Sequence, residues 1–278
     1  MARVDVLRYA AFTDDPAGGN PAGVVLDAAG ATAAQMLAVA AEVGYAETAF
    51  VVGSPGDRRV AMRYFSPHAE VPFCGHATVA TAVALAARRG DGEFLFETAV
   101  GEVALTAADG RASFTSVEPS VTELTDAQLA ELLDLFGLSE DDLDPDCPPR
   151  VAAAGNPHPL LVLRDAGRFD GFTFEPARAR RLLDDNGWPA TLTVALRREP
   201  LVFEARNAFP VGPVTEDPAT GSAAAALGGY LRALGLVDPP ARVVVHQGRH
   251  VGRPGLLTVD VPPTGGIVVT GTAVPLAG

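Results

Sequence analysis

Two alanine-rich apolar segments constrain the fold of this chain more than any other feature. One runs from Phe73 to Gly90 (FCGHATVATAVALAARRG) and the other from Glu216 to Gly235 (EDPATGSAAAALGGYLRALG). In each, a small polar cluster surrounds a glycine, and a proline-free apolar stretch follows. This pattern predicts two buried helices. The exposed N–H groups and the dipole at such helix starts bind anions, so the pair predicts a site for a carboxylate or a developing oxyanion between two halves.

Other segments also occur twice, in the same order. Gly-Asn-Pro turns at Gly19 and Gly155 each lead into a strand pattern, GNPAGVVLD and GNPHPLLVL. A capping-box helix from Thr32 to about Val43 corresponds to a helix that starts with proline, Pro176 to Asp185. The strand patterns that follow are AETAFVV with MRYFSP in the first half, and ATLTVAL with EARNAFP in the second.

This repetition predicts an α+β fold with two pseudo-symmetric domains of like topology. In each domain we expect mostly antiparallel strands wrapped around one central apolar helix. The boundary falls where SVEPSVTEL interrupts the patterning, which predicts domains 1–117 and 118–278. The last strand of the chain is a candidate to pack back on the first domain.

The composition excludes several classes of protein. The formal charge of −13 argues against nucleic-acid or anionic-membrane partners. The chain has no lysine, so lysine Schiff bases and P-loops are excluded. Two cysteines are too few for a disulfide framework or a structural zinc site. The charged start does not match a signal peptide, and no apolar run reaches the roughly 18–20 residues of a bilayer span. We expect a soluble cytoplasmic protein.

Glu47 is the first candidate for chemistry, because it lies in the otherwise apolar strand pattern YAETAFVV. Desolvation there would raise its pKa toward the range of a general acid or base. The alternative is a glutamate on the exposed face of an edge strand. Thr191 occupies the corresponding place in the second half, so an ionisable base is present on one side only.

The two predicted helix starts supply the remaining candidates. His76 follows Gly75, where the helix dipole would lower its pKa and favour a neutral imidazole; the alternative is a histidine packed under a loop. Asp217 and Ser222, near Gly221, either act on a substrate or cap the helix. If the halves are pseudo-symmetric, Asp217 and His76 occupy corresponding positions and would face one cavity.

Neither a metal site nor a dinucleotide site is predicted. Cys74 is interpreted as a small buried hydrophobe, since a two-cysteine racemase would need its second cysteine near Ala219. His158, His246 and His250 are interpreted as isolated. The glycines around His250 predict a turn and not a helix, so His246 and His250 are not expected to form a metal-binding pair. The glycines before Asn20 do not form a GxGxxG fingerprint.

Together these residues resemble the PhzF-like family of phenazine-biosynthesis isomerases, within the diaminopimelate-epimerase-like fold. The resemblance rests on GGNPAGVVLD, AETAF, FSPHAEVPFCGHATVATA, EDPATGSAAAALGGYL and the QG…VGRPG segment, and it covers essentially the whole chain. It implies two domains of like topology, an active site in the cleft between them, a homodimer and no cofactor.

The resemblance also implies roles for particular residues. The family's catalytic glutamate falls on Glu47, and its Gly-His pair on Gly75 and His76. Its aspartate and Gly-Ser pair fall on Asp217, Gly221 and Ser222. We add Asn20, in the first Gly-Asn-Pro turn, as a substrate-binding candidate.

The resulting expectation is a cofactor-independent isomerase that moves a proton between carbons of a small carboxylate substrate. The family prototype isomerises trans-2,3-dihydro-3-hydroxyanthranilate. One alternative is a one-base epimerase or dehydratase of an amino or hydroxy acid. Others are a thioesterase, which the internal repetition disfavours, and a non-catalytic protein that binds small anions.

Overall fold

The computed structural model describes residues 5–211 and 214–277, without the side chains of Val211 and Val214. Its first elements are β1 (Leu7–Ala11), β2 (Asn20–Val25), α1 (Ala33–Val43), β3 (Glu47–Gly53), β4 (Arg59–Phe65), β5 (Glu70–Val71), α2 (Gly75–Arg89), β6 (Gly92–Thr98), β7 (Gly101–Ala108) and β8 (Arg111–Thr115).

The chain continues with β9 (Ser120–Glu123), α3 (Asp126–Phe136), β10 (Arg150–Ala153), β11 (Pro157–Leu163), α4 (Ala166–Gly171), α5 (Pro176–Asp185), β12 (Leu192–Glu199), β13 (Val202–Val211), β14 (Val214–Asp217), α6 (Gly221–Ala233), β15 (Ala241–Gln247), β16 (Gly255–Val261) and β17 (Val268–Pro275). The described residues therefore form a mixed fold of mostly strands with six α-helices. None of these helices has the length and apolar character needed to cross a membrane.

By its internal contacts the chain divides into two compact units. The first combines the residues up to Thr115 with those from Thr270 onward, and the second runs from Ser116 to Val269. In the first unit, β17 pairs antiparallel with β1, placing Val274 opposite Ala10. The domain boundaries expected from the sequence, 1–117 and 118–278, stay a prediction.

The strand pairings repeat from one unit to the other. In the first unit β2–β3 is parallel, β3–β4 antiparallel, β4–β6 parallel and β6–β7 antiparallel. In the second unit β11–β12, β12–β13, β13–β15 and β15–β16 follow the same sequence of directions. Each parallel pair requires a crossover, and helices α1 and α5 lie in the β2–β3 and β11–β12 crossovers. The repeated order of elements predicted from the sequence is confirmed.

Both alanine-rich segments are helices packed against strands of their own unit. Helix α2 contacts β1, β2, β3, β7 and β8, and α6 contacts β9, β10, β11 and β16. Two positions of α6 have room only for glycine, because neighbouring residues approach the helix closely. A Cβ on Gly229 would lie 2.4 Å from Cβ of Pro119, and one on Gly228 would lie 2.8 Å from Cγ1 of Val259.

The predicted surface helices also form as expected. Thr32 caps α1 with a complete capping box, in which the side chains of Thr32 and Gln35 each bind the other's backbone N–H. Gly44 ends α1 in the left-handed conformation, with φ of 72°. Helix α5 begins at Pro176, where the missing N–H costs no helical hydrogen bond.

Candidate active site

Glu47 begins β3, and its surroundings correct one alternative drawn from the sequence. Strand β3 is paired on both sides, by β2 and by β4, so it is not an edge strand. Ala22 on β2 lies opposite Glu47 in the register. Only 12% of the Glu47 side chain is exposed to solvent. The carboxylate is therefore mostly shielded from bulk solvent.

The start of α2 places two further side chains beside Glu47. Cys74 is the N-cap residue, Gly75 is the first helical residue and His76 the second. Both side chains are buried, at 8% for Cys74 and 5% for His76. Glu47 Oε2 lies 3.5 Å from His76 Nε2 and 3.6 Å from Cys74 Sγ. The described structure thus brings Glu47, Cys74 and His76 together in the first unit.

Asn20 determines which nitrogen of His76 carries the proton. Its side-chain Nδ2 lies 3.1 Å from His76 Nδ1. An amide nitrogen donates and does not accept, so Nδ1 is the acceptor and the proton of the neutral ring is on Nε2. Nε2 is the nitrogen that faces Glu47. An imidazole N–H and the Cys74 thiol both approach the same carboxylate oxygen.

Burial keeps the His76 ring neutral. Desolvation lowers the pKa of His76 from its ordinary value to about 3. The sequence analysis assigned this lowering to the helix dipole, whereas the structure assigns it to the loss of solvent around the ring. A neutral imidazole can donate a hydrogen bond without adding a positive charge to the site.

Glu47, Cys74 and His76 offer three metal-ligand atoms that lie within 4.8 Å of one another. A zinc ion would bind one ring nitrogen of His76 at about 2.0 Å and the Cys74 thiolate at about 2.3 Å. The sulfur would then lie about 5 Å from the other ring nitrogen of His76. Here Cys74 Sγ is 3.3 Å from Nδ1 and 3.7 Å from Nε2. The sulfur lies beside the ring, so this arrangement does not fit zinc unless Cys74 changes rotamer.

In the second unit, Asp217 ends β14 and is tied to the start of α6. Asp217 is 8% exposed, and its Oδ2 accepts a 2.6 Å hydrogen bond from the hydroxyl of Thr220. Thr220 is the N-cap residue of α6, without a side-chain capping bond, so neither Asp217 nor Ser222 is the cap. Gln247 Nε2 donates to the Asp217 carbonyl at 2.6 Å and to the Thr220 hydroxyl at 2.9 Å.

Ser222, the second residue of α6, contacts a histidine that the sequence analysis treated as isolated. Ser222 Oγ lies 3.0 Å from Nε2 of His158, which is 1% exposed. His158 Nδ1 lies 2.9 Å from Oγ1 and 3.3 Å from O of Thr191. Burial lowers the pKa of His158 to about 4, so this ring is also neutral.

The structure describes every site residue expected from the sequence, and the roles assigned to these residues stay predictions. Gly75 and Gly221 begin their helices, and Asn20 binds His76. The sequence analysis missed His158, Gln247 and the contact of Cys74 with His76. Aligning the two Gly-Asn-Pro turns places His158 at the position equivalent to Ala22, and Ala22 is the strand neighbour of Glu47. This equivalence was a sequence signal for His158.

Comparisons with known proteins identify the family of this chain. Residues 9–278 match the model of the PhzC-PhzF family, described as phenazine biosynthesis-like protein. An uncharacterized isomerase of Deinococcus radiodurans is 36% identical over 274 residues, which cover 92% of this chain and 87% of the relative. The crystal structure of a Bacillus anthracis phenazine biosynthesis protein of the PhzF family has a TM-score of 0.86 and 27% identity, covering 100% and 98% of the two chains.

A more distant structure shares the fold alone. The probable proline racemase of Agrobacterium radiobacter has a TM-score of 0.62 and 14% identity over 98% of this chain and 91% of that one. Several curated relatives are named isomerases, and the family model matches nearly the whole chain, so this protein is an isomerase. The chain belongs to the PhzC-PhzF family.

Proposed function

We propose that this protein is a cofactor-independent isomerase that moves a proton between carbon atoms of a small carboxylate substrate. Glu47 removes the acidic C–H proton and returns it to another carbon on the same face. The observation that supports this most directly is the Glu47–His76 pair, a shielded carboxylate facing a neutral imidazole N–H at 3.5 Å. A positioned acid/base of this kind contributes about 10²–10⁴-fold to a rate.

His76 and Asp217 complete the proposed catalytic set. His76 would donate a hydrogen bond from Nε2 to the negative charge that develops on the substrate as the proton leaves. A neutral donor avoids the free-energy cost of a buried cation at this position. Asp217 would bind an amino or hydroxyl group of the substrate. Gly75, Gly221 and Ser222 would bind the carboxylate through helix N–H groups, and Asn20 acts through His76. Diaminopimelate-epimerase-like domains and a homodimer also belong to this proposal.

Proton exchange with solvent tests this function. Trans-2,3-dihydro-3-hydroxyanthranilate, the substrate class implied by the family resemblance, is incubated with enzyme in D₂O, followed by NMR. Conversion with deuterium at a remote carbon of the product supports isomerisation by Glu47. No conversion of this substrate, together with no exchange in a panel of amino and hydroxy carboxylates, contradicts the proposal.

Two variants test whether Glu47 is responsible for the conversion. Glu47→Gln should abolish conversion, because an amide cannot accept the proton. Glu42→Gln, the same change at an exposed position of α1, should leave conversion unchanged. Equal turnover by Glu47→Gln and wild type would show that another group removes the proton.

Epimerisation at a single carbon is the second candidate. It is favoured by the structural likeness to a predicted epimerase of Pseudomonas aeruginosa, which is 29% identical with a TM-score of 0.84. Deuterium at the original carbon, with inverted configuration, would identify this reaction. Deuterium at a remote carbon would exclude it.

A further inference from the structure

We propose that His158 is a positioning residue that holds the hydroxyl proton of Ser222, so that Ser222 Oγ offers only lone pairs to a ligand. The substrate group that meets the Ser222 hydroxyl oxygen is then a hydrogen-bond donor, an amino or hydroxyl group, whereas the carboxylate can still bind the Ser222 backbone N–H. The first statement rests on contacts within the second unit alone. The second deepens the proposed function and depends on it.

Asn207, a residue of β13 that is 1% exposed, lies at one end of the hydrogen-bond chain that leads to Ser222. Its Oδ1 accepts two hydrogen bonds, from the hydroxyl of Thr191 at 2.8 Å and from that of Thr193 at 2.7 Å. A threonine hydroxyl has a single proton. The Thr191 hydroxyl proton is therefore directed at Asn207 and is not available to His158.

The next link is Nδ1 of His158. It faces two oxygens of Thr191, the hydroxyl at 2.9 Å and the carbonyl at 3.3 Å. A carbonyl oxygen only accepts, and the hydroxyl proton points elsewhere, so Nδ1 must carry the proton and donate it. In a neutral ring the other nitrogen, Nε2, then has a lone pair.

The last link is Ser222. Its Oγ lies 3.0 Å from His158 Nε2, which has a lone pair and no proton. Serine must therefore supply the proton of this hydrogen bond. A carboxylate oxygen placed against Ser222 Oγ would meet lone pairs, which is repulsive, whereas an ammonium, amine or hydroxyl group would form a hydrogen bond. A substrate carboxylate is left to other donors, such as backbone N–H groups.

The direction of the whole chain depends on the Asn207 amide. If the amide were rotated by half a turn, Asn207 would donate to both threonines and the Thr191 hydroxyl could donate to His158 Nδ1. His158 Nε2–H would then donate to Ser222, whose own proton would point outward. The first direction leaves Asn207 Nδ2 without a hydrogen-bond partner among the described residues. The Thr191 carbonyl favours it nevertheless, because an unprotonated Nδ1 at 3.3 Å would set a lone pair against the carbonyl oxygen.

Nitrogen-15 NMR of the histidine side chains tests the orientation without any substrate. The protein has five histidines, and the His158 signals are those lost in His158→Gln. We expect Nδ1 protonated and Nε2 unprotonated at pH 7. In Ser222→Ala, Nε2 loses its donor, so its resonance should shift while Nδ1 stays protonated. Protonation on Nε2, or a Nε2 resonance unmoved in Ser222→Ala, overturns the proposal.

Steady-state kinetics on a substrate identified by the D₂O experiment test the consequence for binding. Losing one hydrogen bond should raise KM about tenfold in Ser222→Ala with little change in kcat. His158→Leu should have the same effect, and His158→Gln, whose amide oxygen can accept the Ser222 proton, should recover most of it. An unchanged KM in Ser222→Ala overturns the assignment to the ligand.

The two sets of results separate the inference from the proposed function. Failure of solvent exchange with every substrate contradicts the isomerase proposal, and with it the ligand assignment, but leaves the NMR result intact. Proton exchange with His158 protonated on Nε2 contradicts the inference and leaves the isomerase proposal standing.

Discussion

The side-chain nitrogen of Asn20 lies 3.1 Å from Nδ1 of His76 and so directs the ring proton to the nitrogen that faces Glu47. Asn20 is itself 1% exposed and begins β2, the strand that pairs with β3 at Glu47. Strand β2 therefore positions the Glu47 carboxylate, by pairing with β3, and fixes the tautomer of His76, through Asn20.

The first prediction concerns this tautomer. Asn20→Asp keeps the shape of the side chain but replaces the donor by acceptors, so His76 should become protonated at Nδ1. Nitrogen-15 NMR should show the new Nδ1 proton, and turnover should fall about 10²-fold or more because the hydrogen-bond donor toward Glu47 is disturbed. Asn186→Asp, at the end of α5, adds the same charge elsewhere and should change neither readout. An unprotonated Nδ1 in Asn20→Asp would contradict the assignment.

The second prediction is a loss of stability in acid caused by two buried histidines. The pKa of His76 is about 3 and that of His158 about 4, against about 6.5 in the unfolded chain. At pH values between the folded-state and unfolded-state pKa, the unfolded state binds more protons than the folded state. The free energy of unfolding should therefore fall as pH falls below about 6.5. The two groups together account for a few kcal/mol, to order of magnitude.

Urea unfolding at several values between pH 7 and pH 5 measures this slope. His158→Asn should make the slope shallower, whatever its effect on stability at pH 7. The matched control is His68→Gln, at an exposed position, which should leave the slope as in wild type. The same slope in His158→Asn and wild type would show that His158 does not resist protonation in the folded protein.

Much of the fold could be predicted because local chemistry specifies it. The Thr32 capping box and Pro176 at a helix start define α1 and α5 within a residue. The repeated order of turns, strands and apolar helices matches the repeated strand pairing. Glu47 was recognisable as a charged side chain in an apolar strand, and Gly75 and Gly221 as helix starts.

The remaining features depend on contacts that sequence spacing does not reveal. His158 contacts Ser222 across 64 residues, and only the alignment of the two halves, not the local sequence, relates it to Thr191, 33 residues away. Cys74 is buried, as interpreted, but its sulfur also lies against His76. The cause of the low His76 pKa could not be assigned either, because a helix start predicts a dipole effect and only packing reveals the burial.

The third prediction concerns a buried ion pair next to Asp217. Arg206 and Glu216 are 7% and 8% exposed, and the guanidinium binds both carboxylate oxygens, at 2.5 and 3.1 Å. Arg206 Nη1 also donates to the carbonyls of Phe169 and Phe172. Glu216→Ala leaves an uncompensated buried cation, so the free energy of unfolding should fall by about 3–5 kcal/mol.

Arg242 and Asp260 provide the matched control, since they form an ion pair that is mostly exposed. Asp260→Ala should change the free energy of unfolding by about 0–1 kcal/mol. Urea denaturation at pH 7 compares the two variants. A loss of less than about 1 kcal/mol in Glu216→Ala would mean that the Arg206 site relaxes or admits water.

The fourth prediction concerns Gly248, which follows Gln247 and supports the loop between Asp217 and α6. Gly248 has φ of 88°, and a Cβ there would lie 2.3 Å from the Arg253 carbonyl oxygen and 2.4 Å from the Pro218 carbonyl oxygen. Gly248→Ala must therefore push the Pro218 backbone away and weaken the Gln247–Thr220 contacts. Gly252→Ala has a similar φ of 72° with nothing within 4 Å, so it should lose only about 1–2 kcal/mol of conformational free energy. Gly248→Ala should lose more stability and, if Asp217 acts in catalysis, also kcat. Equal stability of the two variants would contradict the close approach at Pro218.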